Sequence, residues 1–342
     1  RASRHRGSAS GAGHAPGTGP SPTLPRSSPE IWSRTPRTAG PPGALLWRSP
    51  PASEELVERA GRNYWNLLAG TRGTLYEDDR IMMEFAVDPV PSDGLSLGFQ
   101  VTVTNRGSHP IQSVGLEVGR SQQPRGCELR LEPMPAGLAR AFLGRQQKIH
   151  LRGCLEVRGP FEPGPWLELS YLLPDDLCLK AGVRLPLAIT RLMAPAGKME
   201  ASAFLDLWNS PDFAHAEAAV ICTLRQDLVA SGTGPFAVGR CLEFGGALRC
   251  LLGLDECPRS VALYTSCPLR QGMPWEVSSV LLRAELGTPN GESAPAFPAQ
   301  RGNRGNSKET MALCRVSVRS PSAAVNRCLL EAVLDVLCSA QA

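Results

Sequence analysis

The stretch Leu281–Leu286, "LLRAEL", decides how the second half of the chain is read. Side chains of a strand alternate between faces, so Leu282, Ala284 and Leu286 share one side while Arg283 and Glu285 share the other. About thirty residues on, "CRVSVRS" (Cys314–Ser320) repeats the pattern, with Cys314, Val316 and Val318 opposite Arg315, Ser317 and Arg319. Two such strands belong to a sheet that packs helices on one face and turns the other to water. Arginine carries a fixed fork of donors that fits a carboxylate with two bonds, so the polar face reads as a docking surface.

The surroundings of these strands give an α+β texture. "KMEASAFLDLWNS" has helical spacing, with Phe204, Leu207 and Trp208 at i, i+3 and i+4. It places an indole beside the arginines as an apolar floor. "FAHAEAAVICTLRQ" is also read as helical, and "FAVGRCLEF" and "SVALYTSC" as strands. The segment "SPSAAVNRCLLEAVLDVL" closes the chain as a largely buried helix, with Ser320 as N-cap and Pro321 at its first position.

Before residue 191 the pattern is that of strands. "RIMMEFAV", "LSLGFQVTVTN", "IQSVGLEV", "KIHLRGCLEV", "WLELSYLL" and "GVRLPLAI" alternate apolar and polar residues, with turn formers such as "PSDG" and "NRGS" between them. Six to eight short strands at such intervals predict an immunoglobulin-like antiparallel β-sandwich. Ahead of them, "SEELVERAGRNYWNLLAG" predicts a lead-in helix anchored by Leu56, Tyr64, Trp65 and Leu68.

The expected organisation is a disordered tether over residues 1–52, a β-sandwich over 53–190 and an α+β platform with helices on one face over 191–342. The tether is rich in Pro, Gly, Ser and Arg and too poor in apolar residues to offset its ordering entropy. A second low-complexity segment, 287–308, reads as a long disordered hairpin loop between two strands.

Charge and cysteine usage narrow the function. The net charge is +4, but residues 1–50 hold seven arginines against the single acid Glu30, so the remaining chain is net acidic. A nucleic-acid binder using the Arg-rich tail and the exposed sheet is the alternative reading; no aromatic ladder accompanies the arginines, as a stacking platform requires. Eleven cysteines without a C-x-x-C pair predict free, mostly buried thiols in a reducing, cytosolic setting. No phosphate-binding glycine loop, nucleophile elbow or H-E-x-x-H helix occurs, and the five histidines stand apart. The expectation is a non-enzymatic protein without a metal or cofactor, in which Asp78-Asp79 and Asp175-Asp176 cap turns.

The order "TRGTLYEDDRI", "RLPLAITRLMAP", "ASAFLDLW", "LLRAEL", "RVSVR" resembles the carboxy-terminal appendage, or ear, of the alpha-adaptins, large subunits of the plasma-membrane clathrin adaptor complex two. The resemblance spans roughly residues 71–337 and implies a sandwich followed by a platform. It also implies a shallow peptide site on the platform for Asp-Pro-Phe/Trp or Phe-x-Asp-x-Phe motifs of endocytic accessory proteins. The tryptophan of the family's F-x-x-W pattern matches Trp208, and the arginine and glutamate of its L-L-R-L-E pattern match Arg283 and Glu285. The two arginines of its R-L-T-L-R strand match Arg315 and Arg319. Leu205 stands where the family has phenylalanine. Further implications are a place at the cytoplasmic face of the plasma membrane in coated pits, peripheral membrane association, and the other adaptor subunits and, indirectly, the clathrin coat as partners.

Overall fold

Ser53 starts the first helix: its hydroxyl accepts from the amide of Leu56 at 3.3 Å, and Glu54 and Glu55 complement the dipole of the first turn. This helix, α1 (Glu54–Ala69), buries Leu56, Ala60, Tyr64, Leu67 and Leu68 along one stripe. The computed structural model describes residues 45–49, 52–88, 96–119, 123–133, 142–174, 177–193, 198–225, 228, 235–251, 260–266, 279–287 and 313–338.

Among the described residues nine strands follow or flank α1 in an antiparallel sandwich. One sheet runs β2 (Arg72–Glu77), β3 (Ile81–Val87), β4 (Ser96–Asn105), β7 (Lys148–Val157), β6 (Cys127–Leu131) in spatial order. The other runs β1 (Leu45–Ser49), β9 (Cys178–Arg184), β8 (Trp166–Leu172), β5 (Gln112–Val118). Alternate residues such as Phe85, Phe99, Val101, Leu155, Leu167 and Leu169 are buried, each contributing about 1.5–3 kcal/mol by leaving water. At the β2–β3 turn the Asp78 carboxylate accepts from the amides of Arg80 (2.8 Å) and Ile81 (2.7 Å), the capping expected of it.

Strand β1 corrects the tether boundary, because Leu45–Ser49 pairs with β9 as an edge strand instead of continuing a tether to residue 52. Residues 1–44, Asp175-Asp176 and the 288–308 part of the low-complexity loop lie outside the described residues.

The platform is a third antiparallel sheet, β10 (Ala218–Thr223), β14 (Leu313–Arg319), β13 (Ser279–Leu286), β12 (Ser260–Ser266), β11 (Arg249–Leu251). The helix α5 (Ala323–Leu337) packs on one face, burying Val325, Leu329 and Val333 with Leu282, Ala284, Val316 and Val318. The helix α4 (Pro235–Leu242) joins it on that side. The short pair α2 (Ala201–Asn209) and α3 (Pro211–Ala214) instead closes a small separate cluster with the opposite face.

Three local readings are corrected. "EAAVICT" is strand β10, not helix: the β-branched residues Val220, Ile221 and Thr223 suit the free flank of β14, and tertiary pairing overrides the helical preference of the alanines. "FAVGRCL" is helix α4, with Val238 and Leu242 one turn apart and buried. The N-cap of α5 is Ser322, whose hydroxyl accepts from the amide of Val325, while Ser320 donates instead to the buried Asn326 at 2.6 Å.

The platform is fastened to the sandwich through α1. Arg191, in the 3₁₀ turn Ile189–Leu192 between the two sheets' domains, donates to the carbonyls of Leu67 and Gly70 and so caps the C-terminus of α1. Burial lowers the pKa of this guanidinium to about 10. Arg225 lies 4.2 Å from the Trp65 ring centroid. Arg184 of β9 forms an ion pair with Asp335 of α5 (Nη2–Oδ2, 2.8 Å) and lies 5.0 Å from the Tyr64 centroid, while Tyr64 donates to Asp335 at 3.3 Å. Gly164, at φ +83°, lies under Arg184 so closely that a Cβ would sit 1.9 Å from its Nε.

Candidate functional site

The register of the platform sheet fixes what stands on the face away from α5. Glu285, Arg315 and Ile221 form one row across β13, β14 and β10. Ala262, Arg283, Ser317 and Ala219 form the next, and Tyr264, Leu281 and Arg319 the third. The alternation read from "LLRAEL" and "CRVSVRS" is the one observed, and the two strands pair directly across the loop that separates them in sequence. All four charged candidates, Arg283, Glu285, Arg315 and Arg319, share this face.

Trp208 and Leu205 meet the third row. Trp208 packs with Phe204, Phe213, Ala262, Tyr264 and Leu281, and half-buried Leu205 borders the cluster. Phe204 stacks on the indole, centroids 5.7 Å apart at 16°, and supplies the ring that Leu205 lacks one position later. Tyr264 receives the amide of Met199 on its hydroxyl at 2.8 Å, which pins the start of α2 to the sheet.

The arginines do not share one role. Arg319 is held by Glu217, whose Oε2 lies 3.0 Å from Nε and 2.6 Å from Nη2; Nη1 donates to the Trp208 carbonyl, and the guanidinium carbon sits 4.3 Å from the indole centroid. The Arg319 side chain is only 17% exposed and Glu217 13%, so Arg319 is not the exposed, available donor expected from the alternation. It is a clasp between α2 and the sheet. Trp208 itself is 6% exposed, so the indole is roofed by its neighbours and is not an open floor.

Arg283 Nε lies 3.0 Å from Glu285 Oε1, an ion pair within one strand whose alignment falls short of a hydrogen bond at that nitrogen. Arg315 is half-exposed, and among the described residues no carboxylate pairs with it. It stands between Glu285 and Ile221, the latter 44% exposed and one of few large apolar side chains at the described surface.

The face therefore combines a closed aromatic cluster at one end with an available guanidinium and an apolar side chain at the other. Glu217, Tyr264 and Ile221 were missing from the residues expected at the site. For Glu217 and Ile221 the signal was the strand β10, since extending its register with β14 by one residue places Glu217 beside Arg319; Tyr264 comes from β12, opposite Leu281.

No protein-family model and no curated protein matches the chain. Among solved structures, it is similar to the GAE domain of yeast GGA1, at 18% identity and a TM-score of 0.27, covering 34% of this chain and 99% of that one. It is also similar to the GAE domain of GGA2p from Saccharomyces cerevisiae, at 15% identity and a TM-score of 0.28, covering 34% of this chain and 96% of that one.

Proposed function

We propose that the chain is a non-enzymatic interaction appendage of the clathrin-adaptor type, whose platform takes short acidic peptides carrying Phe or Trp from endocytic accessory proteins. One observation carries this reading: Arg315, which no carboxylate among the described residues pairs, the Arg283–Glu285 pair and the border of the Trp208 cluster share the sheet face that α5 leaves uncovered. A ligand carboxylate meets Arg315, and an aromatic side chain of the ligand lies against Ile221. The sequence resemblance to the alpha-adaptin ear supports the same assignment and its setting, the cytoplasmic face of the plasma membrane in coated pits. Nucleic-acid binding has less support, since Arg283 and Arg319 are each paired with a carboxylate already.

One aromatic contact and one or two charge-assisted bonds, less the cost of ordering the peptide, give weak binding, on the order of 10–100 μM. Repeated motifs on a partner and many appendages at one coat raise the effective strength by about 10²–10⁴. The test is a fluorescence-anisotropy titration of a labelled Phe-x-Asp-x-Phe peptide. Saturable binding that Arg315→Glu weakens is the expected outcome; no saturable binding to the wild type at sub-millimolar protein contradicts the assignment.

A further inference from the structure

Among the described residues the three sheets have six edge strands, and five of them carry a device that discourages a further strand from pairing. Strand β1 contains Arg48 and an irregular register, β2 contains Arg72 and Glu77 and a shift between Thr74 and Tyr76, and β5 contains Glu117 and a shift between Gln112 and Gly115. Strand β6 contains Glu128 and Arg130, and β11 has three residues, one of them Arg249. Charges, bulges and shortness are the usual protections of a sheet edge. Strand β10, "AAVICT", has none of them: six residues without a charge or a proline, in unbroken register with β14. Among the described residues no strand pairs with its outer side.

We infer that the acidic peptide proposed above is held as an added antiparallel strand on β10. This rests on the peptide-binding reading and specifies how the ligand sits. Backbone bonds to the free edge supply affinity that does not depend on sequence, and side chains of the added strand on the open side supply selectivity. Ile221 occupies that side next to the edge and receives an apolar residue of the ligand. Arg315 follows in the same row, two strand spacings of about 4.8 Å from the added strand, within the joint reach of an arginine and a ligand glutamate or aspartate. The charge argues for a peptide over a second copy: a self-paired β10 brings Ile221 no carboxylate for Arg315, whereas an acidic peptide brings one. The aromatic cluster at Trp208, closed by Arg319 and Glu217, then frames the site without receiving the ligand.

The experiment uses the full chain and the labelled Phe-x-Asp-x-Phe peptide, with hydrogen–deuterium exchange over residues 218–223 and two perturbations of strand addition. These are Ile221→Lys, which gives the edge the charge other edges have, and a peptide N-methylated at alternate backbone nitrogens. Expected are slowed exchange over 218–223 on peptide addition and a loss of affinity of about tenfold or more from either perturbation. Saturable binding that Arg315→Glu weakens but neither perturbation alters, without protection of 218–223, overturns strand addition and leaves the peptide-binding function standing. Absence of any binding by the wild type overturns both. Protection of 218–223 that appears without peptide and grows with protein concentration, with a dimer in sedimentation, assigns the edge to a second copy and overturns the peptide as occupant.

Discussion

Arg184 and Arg319 are held in the same way at two places in the molecule. Each guanidinium lies over an aromatic ring, Tyr64 at 5.0 Å and Trp208 at 4.3 Å, and each is gripped by one carboxylate, Asp335 or Glu217. Their exposures are also alike, 14% and 17%. The first clasp joins the platform to the sandwich; the second joins α2 to its own sheet. Arg315, four residues before Arg319 on the same strand and the same face, has no such partner among the described residues. Position on a face therefore does not make an arginine available; the carboxylate that reaches it from another element decides.

Removing an acid from either clasp leaves a largely buried guanidinium uncompensated, and the interdomain clasp is the deeper of the two. Asp335→Ala is expected to destabilise the protein by about 3–5 kcal/mol, read as a lower denaturation midpoint in urea. Glu217→Ala removes a partly solvated partner and is expected to cost about 1–3 kcal/mol by the same measurement. If both substitutions leave the midpoint unchanged, the two arginines are not clasps.

The interdomain clasp also has a pH signature. Burial, aided by the Asp335 carboxylate and opposed by Arg184, raises the phenol of Tyr64 well above its ordinary value of 10.0. The folded state then holds this proton after the unfolded chain has released it, so its contribution is complete below the ordinary value and declines as pH rises above it. Between about pH 9 and pH 11 the wild type is expected to lose more stability than Tyr64→Phe, which has no proton there to lose. Equal losses in the two proteins contradict the assignment.

A smaller effect contrasts buried and half-buried thiols with an exposed one. Burial pushes Cys127 up to about 12, Cys328 to about 12 with added effect from Glu162, and Cys250 to about 11, so all three are protonated at mildly basic pH. Cys178 is exposed on β9. Brief alkylation of the native protein followed by peptide mapping is expected to modify Cys178 ahead of those three; the reverse order contradicts their burial.

Much of the architecture was legible because a half-buried strand writes its two environments into alternate residues. That is why "LLRAEL" and "CRVSVRS" gave the correct faces, and why the sandwich strands were found between their turns. Strand β10 was not legible: its alanines suit a helix, and only the flank of β14, far away in sequence, makes it a strand. That one misreading hid the rest, since with β10 taken as helix nothing placed Glu217 beside Arg319 or Ile221 beside Arg315. Edge strand β1 was missed for a related reason, because five residues within a Pro- and Gly-rich stretch show no alternation until β9 is there to pair with them. The closure of the indole was likewise invisible, as it depends on a bond between an arginine and a glutamate 102 residues apart.

The different employment of two arginines on one strand is open to a paired measurement. Arg315→Ala and Arg319→Ala are each examined by thermal melting and by titration of the labelled Phe-x-Asp-x-Phe peptide. Arg315→Ala is expected to keep its stability within about 0.5 kcal/mol and to lose peptide affinity, while Arg319→Ala lowers the melting temperature. An Arg319→Ala protein that melts like the wild type but no longer binds, beside an Arg315→Ala protein that binds normally, would contradict the account.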